Sequence, residues 1–113
     1  MQDVQEDKLT SQTINLNVSE SEKLDESFLR MFGNVVKWLL KRTFGESEEV
    51  PVVVRGTPTQ VDTFTKALAS EKRYLDSYKK YGLHDSRTYD NKYTFDQAIK
   101  NFERATSIKW PFK

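Results

Sequence analysis

The chain has few side chains that could act as a nucleophile, a general base or a metal ligand. It contains no cysteine and one histidine, His84, so thiol catalysis, disulfides, zinc ribbons and iron–sulfur clusters are excluded. A Ser-His-Asp triad would need His84, which stands beside Asp85 with no nucleophile elbow in the sequence. The carboxylates Glu71, Asp76, Asp85 and Asp90 could supply an acid/base pair or a metal site, but no spacing requires either. We predict that the protein is not an enzyme and uses no cofactor or metal.

A second candidate for chemistry is the segment RGTPT, residues 55–59, which precedes a predicted helix. Free N–H groups at a helix N-terminus attract anions, and Arg55 stands close by. The segment matches neither the Walker A motif nor the dinucleotide fingerprint, and Pro58 removes one donor. We therefore interpret it as helix capping.

Basic and aromatic residues alternate in EKRYLDSYKKYGLHDSRTYDNKY, residues 71–93. Tyr74, Tyr78 and Tyr81 are four and three apart, which places them on one helical face. Tyrosine rings flanked by cations are a common way to hold single-stranded nucleic acid. The alternative is that the rings lie at the core boundary and the cations are solvated. The candidate residues for binding a partner or nucleic acid are Lys72, Arg73, Tyr74, Tyr78, Lys79, Lys80, Arg87 and Lys92.

The net charge of +1 conceals an uneven distribution along the chain. Residues 1–49 carry 6 basic and 10 acidic side chains, whereas residues 66–113 carry 11 basic and 6 acidic ones. A chain with this asymmetry could bind an anionic partner through its C-terminal half or pair head to tail with itself; both halves could also be simply solvated.

Length and composition favour one domain. A chain of 113 residues can bury a modest core without a metal or disulfide. The first residues lack the pattern of a signal peptide, and no apolar run reaches the ~20 residues of a membrane span. We expect a cytoplasmic protein with a flexible N-terminal arm over residues 1–12 and a single domain over residues 13–113.

The first half of that domain predicts a strand, a helix and a second strand. Residues 13–19 alternate between apolar and polar side chains, which is typical of a half-buried strand. Ser19 and Glu22 form a possible capping box for a helix that runs to about Phe44, with Gly45 as its stop. The segment VPVVVR, residues 50–55, then predicts a strand that pairs parallel to the first.

The most complete helix signal lies in residues 57–82. Thr57 is the predicted N-cap, with Pro58 at the first helical position and Gln60 completing a capping box; Gly82 is the predicted stop. The predicted buried face is interrupted by Glu71. Its apolar members are Val61, Phe64, Leu68, Leu75 and Tyr78.

A third helix is predicted to begin at Thr94, where Thr-x-x-Gln repeats the capping box, after a turn-rich segment at residues 84–91. Its apolar face includes Phe95, Ile99 and Phe102. The final segment IKWPF, residues 108–112, predicts a tail that docks on its own core.

Three segments of the last 60 or so residues, VVVRGTPTQV, EKRYLDSYKKYGL and FERATSIKWPF, resemble small uncharacterised proteins of tailed bacteriophages and marine bacteria. The resemblance implies no activity and no binding residue. If the protein is encoded by a phage, its expected location is the host cytoplasm.

These patterns predict a small α+β domain in β-α-β-α-α order, with two short strands packed against three helices. Because a two-stranded sheet is barely stable alone, a second copy could complete it by dimerisation at the strand edge. The predicted function is that of a non-enzymatic interaction protein that binds a protein partner and self-associates. The alternative is a nucleic-acid-binding protein that uses the basic, tyrosine-rich C-terminal half.

Overall fold

The computed structural model describes residues 12–41 and 52–111, and it confirms a small α+β domain in the predicted order. The elements are β1 (Gln12–Asn15), α1 (Glu20–Lys23), α2 (Glu26–Lys41), β2 (Val52–Arg55), α3 (Pro58–Tyr81) and α4 (Ser86–Thr106). In the predicted arm, residues 1–11 lie outside the described part of the chain, while Gln12 already belongs to β1.

The two strands are parallel, as predicted, with Gln12 opposite Val52 and Asn15 opposite Arg55. Ile14 and Leu16 are completely buried, so the apolar side of the predicted alternation faces the core. The strand is shorter than the predicted residues 13–19, because the Asn15 side chain accepts a hydrogen bond from the Asn17 N–H at 3.0 Å and turns the chain.

The prediction of one continuous helix from Ser19 was wrong: two helices occupy this segment. Ser19 Oγ accepts a hydrogen bond from Glu22 N–H, but α1 ends after one turn. Asp25 then starts α2 by accepting from the N–H groups of Ser27 and Phe28, at 2.7 and 3.3 Å. Leu24, at the break, is 79% exposed and contributes nothing to the core. The predicted helix end at Phe44 and Gly45 lies outside the described residues.

Helix α3 begins and ends where its capping residues predict. Thr57 Oγ1 accepts from Gln60 N–H, and Gln60 Oε1 accepts from Thr57 N–H, which completes the capping box. At the other end Gly82 has a φ of 87°, and its N–H donates to Tyr78 O. The buried face differs from the predicted one: Tyr78 is 49% exposed, whereas Glu71 is buried.

Helix α4 begins eight residues before the predicted start. Asp85 is its N-cap, so residues predicted as a turn form its first two turns. Thr94 lies inside the helix, where its hydroxyl donates to Asp90 O. The helix ends at Ser107, whose φ of 63° turns the chain back towards the core.

Four aromatic rings form the centre of the core. Phe32 of α2 lies 5.8–6.1 Å, between ring centroids, from Phe64 of α3, Phe102 of α4 and Trp110 of the C-terminal tail. Trp110 also meets the rings of Phe64 and Phe102, and it is 2% exposed. The tail therefore docks on its own core, as predicted for its residues up to Pro111.

Trp110 is also held through both of its N–H groups. Its indole Nε1 donates to Glu71 Oε1 at 2.7 Å, and its backbone N–H donates to Glu103 Oε2 at 2.8 Å. Glu71, which interrupts the apolar face in the sequence, is thus the hydrogen-bond acceptor that the buried indole N–H requires. Burial raises the pKa of Glu71 above its ordinary value of 4.5, and the hydrogen bond from Trp110 offsets part of that shift.

Phe32→Ala should lower the free energy of unfolding by about 3–5 kcal/mol, because the ring is fully buried against several others. The neighbouring Met31 is 38% exposed, so Met31→Ala should cost less than about 1 kcal/mol. Urea denaturation followed by tryptophan fluorescence measures both variants. Equal losses would contradict the assignment of the buried face of α2.

Glu71→Gln should reduce the loss of stability that accompanies a rise in pH from about 4.5 to about 8. A carboxyl with a raised pKa binds its proton more readily in the folded chain. Its contribution therefore favours folding at the acidic end of this range and is lost as the pH rises through the raised pKa. The glutamine oxygen can still accept from Trp110. Urea denaturation at both pH values measures the change, and an identical pH dependence in parent and variant would refute it.

Candidate functional site

Helices α3 and α4 pack against each other and form an antiparallel hairpin, joined by the turn at residues 82–85. On α3 the last side chain that packs on the core is Tyr74, and on α4 the first is Phe95. We call residues 72–93 the distal hairpin. Helix α3 alone spans about 36 Å at 1.5 Å per residue, and the described part of the chain measures 51 × 34 × 25 Å. The distal hairpin therefore extends past the packed core.

Polar contacts hold the two helices of the distal hairpin together. Asn91 donates from its side-chain amide to the hydroxyl of Ser77 across the helix interface. Thr88 is 1% exposed, and its hydroxyl donates to Gly82 O at 2.7 Å. The two helices thus keep a fixed relation where the apolar core no longer reaches them.

Arg87 is fixed at the turn by Asp85 and Tyr81. Its Nε and its terminal nitrogen donate to the two carboxylate oxygens of Asp85 at 2.9 and 3.0 Å, and its backbone N–H donates at 2.8 Å. These bonds lower the pKa of Asp85 to about 2. The guanidinium carbon lies 3.5 Å from the centroid of the Tyr81 ring, a cation–π contact.

Large apolar or aromatic side chains are exposed on the distal hairpin. Tyr89 and Tyr93 lie one turn apart on α4 and are 56% and 66% exposed. His84 Nδ1 lies within 3.3 Å of the Tyr89 hydroxyl. The exposed set is Tyr78, Tyr81, Leu83, Tyr89 and Tyr93. In the part of the chain that is described, no other place gathers as many.

The eight predicted binding residues fall into different environments. Tyr74 is half-buried and stacks on Phe95, with 5.9 Å between ring centroids, so it belongs to the interior. Arg87 is paired with Asp85, and Lys92 is paired with Asp96 at 3.0 Å. Lys72 is half-buried. Six of the eight are exposed: Arg73, Tyr78, Lys79, Lys80, Arg87 and Lys92.

Sequence reasoning missed Tyr89 and Tyr93 as surface residues of a helix. The sequence pattern predicts a turn for the segment that contains Tyr89, whereas a helix that starts at Asp85 places both rings on one face. The signal was present, because aspartate is among the preferred N-cap residues.

A separate open groove runs between α3 and α4 and is lined mainly by small and hydroxyl side chains, among them Thr63, Ser70 and Ala98. Of the eight predicted residues, only Arg73 lines it. Across residues 12–41 and 52–111, no three histidine or acidic side chains are grouped so that they could hold a metal ion. None of the helices described combines the length and hydropathy that a bilayer-spanning segment needs.

No protein-family model, characterised protein or solved structure matches this chain. The candidate site therefore depends on the geometry of the distal hairpin alone.

Arg87→Ala should raise the pKa of Asp85 from about 2 towards its ordinary value of 3.8, because the guanidinium hydrogen bonds and charge are lost. The rise should stop below 3.8, since the backbone N–H of residue 87 still donates to the carboxylate. NMR titration of the carboxyl carbon measures the shift. Lys92→Ala is the control, because its ion pair is with Asp96. An unchanged Asp85 pKa in the Arg87→Ala variant would mean that this pair is absent in solution.

Proposed function

We propose that this chain is a small non-enzymatic binding protein whose distal hairpin docks on a protein partner. The observation that carries the proposal is the group of four tyrosines and one leucine exposed beyond the core. A monomeric protein seldom leaves several large rings together in water without a use for them. Tyrosine and arginine are also the side chains that dominate the energy of protein interfaces.

The stacked pair of Arg87 and Tyr81 supports a protein partner. The guanidinium is fixed by Asp85 and lies over the ring, so little conformational entropy is lost when a partner covers it. A surface with its rotamers already fixed binds more tightly than a mobile one of the same composition.

Nucleic acid is the alternative partner, favoured by the exposed cations Arg73, Lys79 and Lys80 near Tyr78. Two of the cations expected to contact phosphates, Arg87 and Lys92, are each engaged in an ion pair with an aspartate. Tyr74 stacks on Phe95, so its ring is not free to stack on a base. These three contacts make a protein partner the better explanation of the surface.

Three wider aspects of the function are proposals as well. The resemblance of the C-terminal half suggests a phage-related protein, and a phage-encoded protein of this kind would act in the host cytoplasm. Self-association is a further proposal, and the open edge of the two-stranded sheet is one surface that could carry it.

Photo-crosslinking from the distal hairpin tests the proposed function. A photo-crosslinking amino acid replaces Tyr89 in one variant, and in the control it replaces Thr65, which is exposed on the part of α3 beside the core. Both full-length variants are irradiated in the cells that produce them. Position 89 should give crosslinks to protein, and position 65 should not. Crosslinks to nucleic acid alone, or equal products at both positions, would contradict a protein-binding hairpin.

A further inference from the structure

Outside the distal hairpin, an exposed apolar side chain, Leu24, lies at the junction of α1 and α2. Leu24 is 79% exposed, more than any other large hydrophobic residue among those described. We call residues 20–26 the acidic end. The segment carries four acidic side chains and one lysine, so its net charge is −3. That lysine, Lys23, is buried and paired with Glu20 at 3.3 Å.

The acidic end has a fixed shape. Ser19 caps α1, and Asp25 accepts two backbone N–H groups at the start of α2. Leu24 lies between these two caps, so its exposure follows from the local backbone and is not a frayed terminus. Glu22 and Glu26 remain exposed on either side of it in sequence. The result is an apolar side chain presented among negative charges.

The distal hairpin has the opposite composition. It carries six cationic and three aspartate side chains, a net charge of +3, and it exposes rings where the acidic end exposes an aliphatic side chain. Lys79 and Lys80 are exposed in the last turn of α3, next to Tyr78 and Tyr81. The two surfaces are complementary: Leu24 could pack against the tyrosine rings, while the carboxylates of the acidic end face the lysines of the distal hairpin.

We propose that the partner of the distal hairpin is the acidic end of a second copy of this chain, so that the protein associates head to tail. This inference depends on the proposed function, because it names the occupant of the same surface. The two surfaces differ, so two copies can close as a twofold dimer with two reciprocal contacts, or further copies can add through a heterologous head-to-tail contact. Both patches are small and the charges are exposed, so the association is weak and is reduced by salt.

Two variants each remove one of the surfaces. Lys79→Glu with Lys80→Glu places negative charge where the acidic end would dock. Glu22→Gln with Leu24→Ser removes the apolar contact and part of the charge from the acidic end. All four positions are exposed, so folding should be retained, and far-UV circular dichroism checks this.

Sedimentation velocity of the full chain over a range of concentrations, at low and at high salt, gives the test. The parent should self-associate at low salt, and each variant alone should lose at least about tenfold in apparent affinity, which corresponds to ~1.4 kcal/mol. A mixture of the two variants should form a 1:1 complex, because one supplies an intact acidic end and the other an intact hairpin. A dimer at the sheet edge would survive in both variants and would overturn the proposal.

The remaining outcomes separate this inference from the proposed function. A parent protein that stays monomeric at every concentration, or a mixture that behaves as two separate monomers, refutes head-to-tail association. If position 89 still crosslinks a different protein, the hairpin remains a protein-binding surface with another partner. If position 89 crosslinks no protein and the parent is monomeric, both proposals fail.

Discussion

The packing of the indole ring of Trp110 is the interaction on which the rest of the structure depends. It contacts rings from α2, α3 and α4, and its two N–H groups are bound by Glu71 of α3 and Glu103 of α4. One side chain from the tail therefore joins the three long helices. Because a chain of this size can bury only a modest core, the buried packing around Trp110 does not extend to the far end of the hairpin.

This arrangement explains why tyrosines are exposed on the distal hairpin. Beyond Tyr74 and Phe95 the helices are joined by polar side chains such as Ser77 and Asn91, which fix the geometry without an apolar core. Rings that project from this part of the hairpin meet solvent. The interaction surface that we propose is thus a consequence of hairpin length relative to core size.

The sequence predicted the features that depend on neighbouring residues. The capping box of Thr57 and Gln60, the stop at Gly82 and the parallel strands follow from local patterns. The role of Glu71 did not, because its partner Trp110 is 39 positions away and the carboxylate appears in sequence as a defect in an apolar face. The apolar pattern around Leu24 predicts one helix and residues 84–91 predict a turn, but Asp25 and Asp85 cap new helices at these two places.

For the binding residues, the sequence identified the correct region but not which side chains are available. Whether Arg87 and Lys92 form ion pairs depends on aspartates on the same helix or turn, which charge counting does not reveal.

The apolar core of the hairpin ends at Tyr74, and the tyrosines beyond it face water. Nitration with tetranitromethane at low protein concentration, mapped by mass spectrometry, tests it most directly. Tyr78, Tyr89 and Tyr93 should react while Tyr74 is spared; equal protection of all four rings would contradict the account.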